Sequence, residues 1–339
     1  MIIYQQLISG WIDSEKKPDD DRVHPIPTSF FIGQMNNTNR IQFEKPPLSD
    51  LIQEYTVVDL HFHSRYSDGA NTVEQIAQRA RELGIGIAIT DHNEIKGALE
   101  LDGFTDILNI PGIEITSKEG THILIYFYDA RQLQRFYDND VRPYMGNGVM
   151  SSTNLMMEDV IQRARSYETI IIFPHPDCAA YTGICNFLFS PQRLIRLFEM
   201  VDGVEVINSS NLKKWNLRCA LLGFNLDKAI TGGSDGHSIK HMGRAVSFAR
   251  CKPDRRAFLE ALKRKRNKVI GKEIDLLRKM TTNGYRLRTT LKNSPDLVEK
   301  NLRYGYRMIN SKSKVFRDSV RRKVNGKIIK KLKINNGHL

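Results

Sequence analysis

Seven short apolar runs recur between residues 56 and 235: TVVDLHF, IGIAIT, GIEIT, THILIYF, TIIIFPH, GVEVIN and KAITGGSD. They are rich in Val, Ile and aromatic residues and are bounded by polar ones, which predicts buried strands. Between several of them lie segments of helical period. In TVEQIAQRARELG, Val73, Ile76, Ala77 and Ala80 share one face and Gly84 supplies the stop; NLMMEDVIQRARSY, residues 154–167, is a second such segment. Alternating strands and helices predict an α/β domain with parallel pairing through helical crossovers. A closed barrel and an open doubly wound sheet both satisfy that pattern.

The flanks read differently. Residues 1–50 contain PDDD, HPIPTS, MNNTN and EKPP with little periodicity, which predicts an irregular extension before a domain spanning residues 51–272. Residues 273–339 form a basic appendage, expected to be helical. The net charge of +13 resides at this end: residues 271–339 hold 19 Lys/Arg against 5 Asp/Glu, whereas residues 1–270 hold 32 against 33. Such a tail attracts polyanions, and Tyr285, Tyr304, Tyr306 and Phe316 are interleaved where they can stack on bases. A solvated basic helix pair is the competing expectation for it. No apolar run approaches the roughly 20 residues of a membrane span, and the start lacks a signal-peptide pattern, so a cytoplasmic protein is expected. Cys178, Cys185, Cys219 and Cys251 form no CxxC pair, which argues against a disulfide framework or a thiolate zinc site.

The predicted strands carry metal-ligand side chains at or near their ends. His61 and His63 close the first run, Asp91 and His92 the second; Glu114 lies in the third and His122 opens the fourth. His175 follows FP, Glu205 sits within GVEVIN, and Asp235 and His237 follow TGG. Residues i and i+2 of a strand share a face, so His61 and His63 reach one cavity, as do Asp235 and His237, while Phe62 points into packing. In parallel α/β architectures the carboxyl ends of the strands gather at one rim, where ligands bind. One histidine beside a strand is an ordinary core or surface residue. Six of the nine histidines, aligned with carboxylates, suit more than one transition metal.

In order along the chain, HFHSRYSDG, ITDHN, PGIEIT, THILIYF, FPHPD, GVEVINSSN and GGSDGH resemble successive motifs of the PHP superfamily, named for polymerase and histidinol phosphatase. The resemblance covers roughly residues 55–272. It implies a distorted (β/α)7 barrel with two to three divalent metal ions, Mn, Zn or Fe, at its C-terminal rim. Carried over motif by motif, the implied ligands are His61, His63, Asp68, His92, Glu114, His122, His175, Asp235 and His237. Glu114 is the implied bridge between two metals, with His122 and His175 serving one of them; Asp68, His92 and His237 serve the third. Asp91 is implied to orient nearby imidazoles, and Arg244, in MGRA, matches a phosphate-binding arginine of the smaller family phosphatases. Arg65 is a second candidate for that role.

The activity implied is hydrolysis of a phosphoester by a metal-activated water, the metal lowering the water's pKa toward 7. The phrases SRYSDG, GSDGH and GRA look most like the stand-alone phosphoesterases, so a nucleotide or a nucleic-acid end is the expected substrate, with a nucleotide phosphatase or 5′-to-3′ exonuclease as the type. Two alternatives stand beside it: a histidinol-phosphate-type small-molecule phosphatase, and a binding or regulatory protein that keeps the fold without the chemistry. The full ligand set favours catalysis. Residues 129–168 are expected to pack over the rim as a lid.

Overall fold

The apolar run TVVDLHF becomes β2 (Thr56–Phe62), and every one of its seven residues is buried. The other six runs also form strands: β3 (Gly86–Ile89), β4 (Gly112–Thr116), β5 (His122–Phe127), β6 (Thr169–Phe173), β7 (Gly203–Asn208) and β8 (Ala229–Gly233). The computed structural model describes residues 40–273, apart from residue 179 and residues 186–188. Residues 1–39 of the extension expected over residues 1–50, and the basic appendage expected over residues 273–339 from residue 274 onward, lie outside the described residues.

The helical segments form where the apolar stripe requires. Helix α2 (Val73–Leu83) buries Val73, Ile76, Ala77 and Ala80. It opens with a capping box between Thr72 and Gln75 and ends at Gly84, whose φ of 66° lies in the left-handed region that glycine adopts without strain. Three further strands and a helix complete the frame: β1 (Ile41–Gln42), β9 (Ala245–Ala249), β10 (Lys268–Gly271) and α1 (Leu48–Glu54). Ile41 and Gln42 pair in parallel with Val269 and Ile270 and Leu48–Glu54 is helical, so residues 41–50, expected in an irregular extension, are ordered against the strands instead.

The strands make two five-stranded sheets, ordered β1-β10-β9-β2-β3 and β4-β5-β6-β7-β8. Both are mixed. β4 and β5 run antiparallel, as do β5 and β6, where parallel pairing through helical crossovers was the expectation. The reason is length: five residues separate β4 from β5, and a parallel crossover needs a dozen or more. β9 is antiparallel to β2, with Thr56 opposite Ala249 and Val58 opposite Ser247. The sheets do not close into one continuous ladder. They meet at single bridges, Phe62 with Gly236 and His92 with Glu114, and both bridges lie beside the predicted ligands.

Phe62 points away from those ligands and packs in a core group that includes Ile76, Ile87 and Ile89. Burying such a ring contributes about 1.5–3 kcal/mol. A larger core group lines the other sheet, and it absorbs most of the segment expected to be a lid. Helix α4 (Ala130–Phe136) buries Leu133 and Phe136, and α5 (Met157–Ala164) buries Met157, Val160, Ile161 and Ala164. Apolar faces of that size cannot hover over a wet rim. What remains near the rim is the loop after Tyr144, where Asn93 Nδ2 donates to the carbonyls of Val149 (2.7 Å) and Ser151 (2.8 Å). Among the described residues, no helix is long and apolar enough to cross a membrane.

Candidate metal centre

Four carboxylates and six imidazoles converge where the two sheets meet. Glu114, in the middle of β4, is 1% exposed, and its two oxygens face different sets of imidazoles. Oε2 lies 3.0 Å from His92 Nδ1, 3.4 Å from His61 Nε2 and 3.5 Å from His63 Nε2. Oε1 lies 3.0 Å from His122 Nδ1 and 3.4 Å from His175 Nε2. Burial alone would raise the Glu114 carboxyl, yet the neighbouring His122, His61 and His92 hold it well below the usual carboxylate range.

A second acidic pole sits on the other side of His63. Asp68 Oδ2 is 2.9 Å from His237 Nε2, and its Oδ1 is 3.7 Å from His63 Nδ1 and 3.9 Å from His92 Nε2. Asp235 Oδ1 lies 3.3 Å from His63 Nε2 and 3.7 Å from His61 Nε2. All nine sequence-predicted ligands are therefore brought together. Three overlapping groups have ligand atoms close enough to share an ion: His63, Asp68, His92 and His237; His61, His63 and Glu114; His92, Glu114 and His122.

Burial lowers the imidazoles, but neighbouring groups outweigh it for three of them, among them His175, which Cys178 and Glu114 hold well above its ordinary value. His61 is held well above its ordinary value by Glu205, Glu114 and Asp235, and His63 is raised by Asp235, Asp68 and Glu114. His92 is the exception, pushed down to about 3 by burial, and so stays neutral, the form in which imidazole binds metal. Several buried ring nitrogens make no hydrogen bond at all: His61 Nε2, both nitrogens of His63, His92 Nδ1 and His175 Nδ1. Orphaned polar atoms of this kind are costly unless a ligand satisfies them, and imidazole nitrogens aimed at carboxylates fit a divalent cation.

Backbone geometry sets several of these side chains. His61 and His63 reach one cavity as strand alternation requires, both fully buried. Asp235 and His237 do not follow that rule, because both lie beyond β8 and Asp235 adopts φ 48°. His175 (φ 30°) and Asn93 (φ 47°) share the left-handed region. Non-glycine residues adopt it at a cost, and such strain gathers at functional sites.

The remaining predicted residues fall into different places. Asp91 touches no imidazole through a hydrogen bond. Its Oδ1 accepts from Ser64 N (2.7 Å) and Ser67 Oγ (2.6 Å), and its Oδ2 from Ser64 Oγ (2.6 Å), so it clamps the turn that joins His63 to Asp68. Gly97 packs against that clamp; a Cβ there would run into Asp91 Oδ2 and sit 2.8 Å from Ser64 Oγ. Gly97→Ala is expected to destabilise the protein by about 1–3 kcal/mol through overpacking, read as a lowered urea midpoint. Arg244 stands just before β9, and the antiparallel register with β2 places that end of β9 on the side of His61. Arg65 is exposed, with its guanidinium 5.9 Å from the Tyr66 ring.

Two buried carboxylates complete the centre without appearing in the predicted ligand set. Glu205 accepts from His61 Nδ1 (3.0 Å), from the His175 backbone N–H (2.9 Å) and from Asn208 Nδ2 (2.9 Å). It fixes the tautomer that turns His61 Nε2 toward Glu114, the arrangement by which carboxylates orient metal-binding imidazoles. Asp59 accepts from Ser234 N (2.9 Å) and Gly243 N (3.0 Å), tying β2 to the segment that carries Asp235 and His237; burial pushes its carboxyl up to about 6. The alternation of β2 puts Asp59 on the face of His61 and His63, which was the available signal for it.

This geometry meets a matching family. The family profile described as PHP domain matches residues 59–150, and that described as PHP-associated matches residues 215–267. Over those residues the chain is similar to PHP-domain proteins, as its motifs imply. A relative, the uncharacterized protein MJ1587 of Methanocaldococcus jannaschii, is 29% identical over 167 residues, 44% of this chain and 81% of the relative. Among solved structures, the lesion-specific endonuclease PfuEndoQ from Pyrococcus furiosus superposes with a TM-score of 0.52 at 20% identity, covering 63% of this chain and 57% of the endonuclease. A complex of Endonuclease Q with a 27-mer duplex substrate, with an abasic lesion at its active site, gives a TM-score of 0.52 at 19% identity, covering 65% and 60%. At this identity the likeness is one of fold, and the chain spans about 60% of those endonucleases.

Proposed function

We propose that the buried cluster holds two to three divalent cations, Mn, Zn or Fe, and that the protein hydrolyses phosphoester bonds in a nucleotide or at a nucleic-acid end. The observation that carries this reading is the division of Glu114, with Oε2 facing His61, His63 and His92 and Oε1 facing His122 and His175. A carboxylate so placed would bridge two ions. One would be held with His61, His63 and Asp235, the other with His122 and His175. Asp68, His92 and His237, with the free Nδ1 of His63, would hold a third. Cations grouped in this way make a bound water nucleophilic near neutral pH and draw charge from a phosphate.

The chain's own residues do the rest. Glu205 keeps His61 in one tautomer, Asp91 keeps the His63–Asp68 turn closed, and Asp59 keeps the 234–243 segment against β2. Arg244, at the His61 end of β9, is the residue we assign to a phosphate oxygen, since a guanidinium fork matches phosphate geometry. Arg65 is exposed on the same turn as Asp68 and is assigned a weaker share of that role. The fold likeness to an endonuclease bound to DNA supports a nucleic-acid substrate over a small-molecule phosphatase. The two single bridges between the sheets support a distorted barrel of the PHP type as the underlying architecture. A cytoplasmic location goes with this reading.

Glu205→Gln is expected to weaken metal binding about 10–100-fold, the usual cost of losing a carboxylate behind a ligand imidazole, measured by competition with a metal indicator. The function itself is tested with a panel of p-nitrophenyl phosphate, dinucleotides and 5′-phosphorylated oligonucleotides, each with Mn, Zn or Fe. Turnover of at least one nucleotide substrate is expected. A protein inert on all three with every metal would refute the proposal.

A further inference from the structure

Beyond the cluster, cations and an aromatic ring meet at the start of α7 (Lys213–Leu226). The loop 208–212 leads there from β7, and it is bound into the centre: Asn208 Nδ2 donates to Glu205 and, at 3.3 Å, to Asp235 Oδ2. The helix is then joined to the loop that carries His175. Asn211 Nδ2 donates to the Asp177 carbonyl (2.8 Å), Cys219 Sγ lies 3.4 Å from the same oxygen, and Arg218 Nη1 lies 3.4 Å from Asp177 Oδ2. Asp177 is two residues from His175. The first two turns of α7 therefore stand beside the Glu114–His175 edge of the cluster.

What they present outward is basic and aromatic. Lys213, Lys214 and Arg218 are exposed, and Trp215 is half-buried between them. Lys214 Nζ lies 4.5 Å from the Trp215 ring centroid and the Arg218 guanidinium 5.1 Å. Local helix physics disfavours this arrangement. Lysines at the first two positions oppose the positive end of the helix dipole, the first turn has no acidic residue, and no side chain caps it. Asp177 is the carboxylate set against Lys214 and Arg218 at this helix start, so the cations there outnumber the acid beside them, a local imbalance of the kind found at the edges of functional sites. Such a group of cations suits an anion, and the flat indole beside it suits an anion that carries an aromatic base.

We propose that Lys213, Lys214, Trp215 and Arg218 form a subsite for the nucleic-acid strand next to the phosphate being cleaved, a proposal that rests on the nucleic-acid reading above. The cations take backbone phosphates while the Trp215 ring stacks on a base, the pairing of groups by which single strands are bound without reading sequence. Exposed Leu217 and Leu221 continue along the same helix, so a second copy of the chain is the competing occupant.

The chain has two tryptophans, and Trp11→Phe leaves Trp215 as the reporter. The full-length, metal-loaded protein is titrated with a 5′-phosphorylated deoxythymidine tetranucleotide carrying phosphorothioate linkages. Saturable quenching of Trp215 is expected, with Kd rising about 10-fold in Lys213→Ala/Lys214→Ala and rising again with salt. In turnover, the double variant is expected to lose about 10-fold more in kcat/KM on the unmodified tetranucleotide than on p-nitrophenyl phosphate. Absence of quenching, an unchanged Kd in the double variant, equal losses on both substrates, or a salt-insensitive dimer seated on Leu217 and Leu221 would each overturn the subsite. Failure of the wild type to hydrolyse either substrate sinks the phosphoesterase reading instead, while the quenching titration still decides the subsite.

Discussion

Glu114→Gln is expected to lower kcat on a phosphoester by about three orders of magnitude, equivalent to roughly 4 kcal/mol. The substitution keeps shape and volume and removes one charge, and that charge is what both sets of imidazoles face. His92 and His122 each lie 3.0 Å from a different oxygen of this one carboxylate. An amide cannot bridge two cations, and its NH2 end would point a donor at one of the imidazole sets. Metal content is expected to fall together with kcat, while the far-UV circular dichroism spectrum stays that of the folded protein. A variant with full metal content and wild-type kcat would remove Glu114 from the centre.

Stripping divalent ions with a chelator is expected to lower the thermal midpoint by about 10 °C. The cluster gathers Asp68, Glu114, Glu205 and Asp235 around six imidazoles in a buried site, and a divalent cation offsets the negative charge brought together there. A cation that binds the folded chain at about 1,000 times its Kd adds roughly 4 kcal/mol. For a domain of this size each kcal/mol moves the midpoint by about 2–4 °C. Differential scanning with and without chelator measures the gap, which should close on adding back Mn or Zn and shrink in Glu114→Gln. Equal midpoints in all four conditions would mean that the centre takes no metal.

Much of the centre is legible in the sequence because two simple periodicities place it. Apolar runs of β-branched residues mark all seven strands of the predicted set, and i, i+2 alternation puts His61 and His63 in one cavity. What was not legible depends on contacts between distant segments. β9 and β10 have short, mixed runs, and β1 has two residues; each is defined by its neighbour rather than by its own pattern. Asp235 and His237 arrive through a turn with positive φ, which strand spacing does not describe. Glu205 sits in a visible run, but its role depends on the His61 ring 144 positions away. Asp91 was expected on the imidazoles and instead holds Ser64 and Ser67, because a buried carboxylate takes the nearest backbone and hydroxyl donors. The antiparallel β4–β5 pair could have been inferred from the five-residue link between Glu114's strand and His122's, since that link is too short for a crossover.

The central claim is that one buried cluster, divided by Glu114, holds several divalent ions. Elemental analysis of the full-length protein after loading with Mn or Zn and removal of free ion tests it most directly. Two to three equivalents per chain are predicted, falling to one or fewer in Glu114→Gln. A stoichiometry at or near zero in the wild-type protein, or one unaffected by the substitution, would contradict the account.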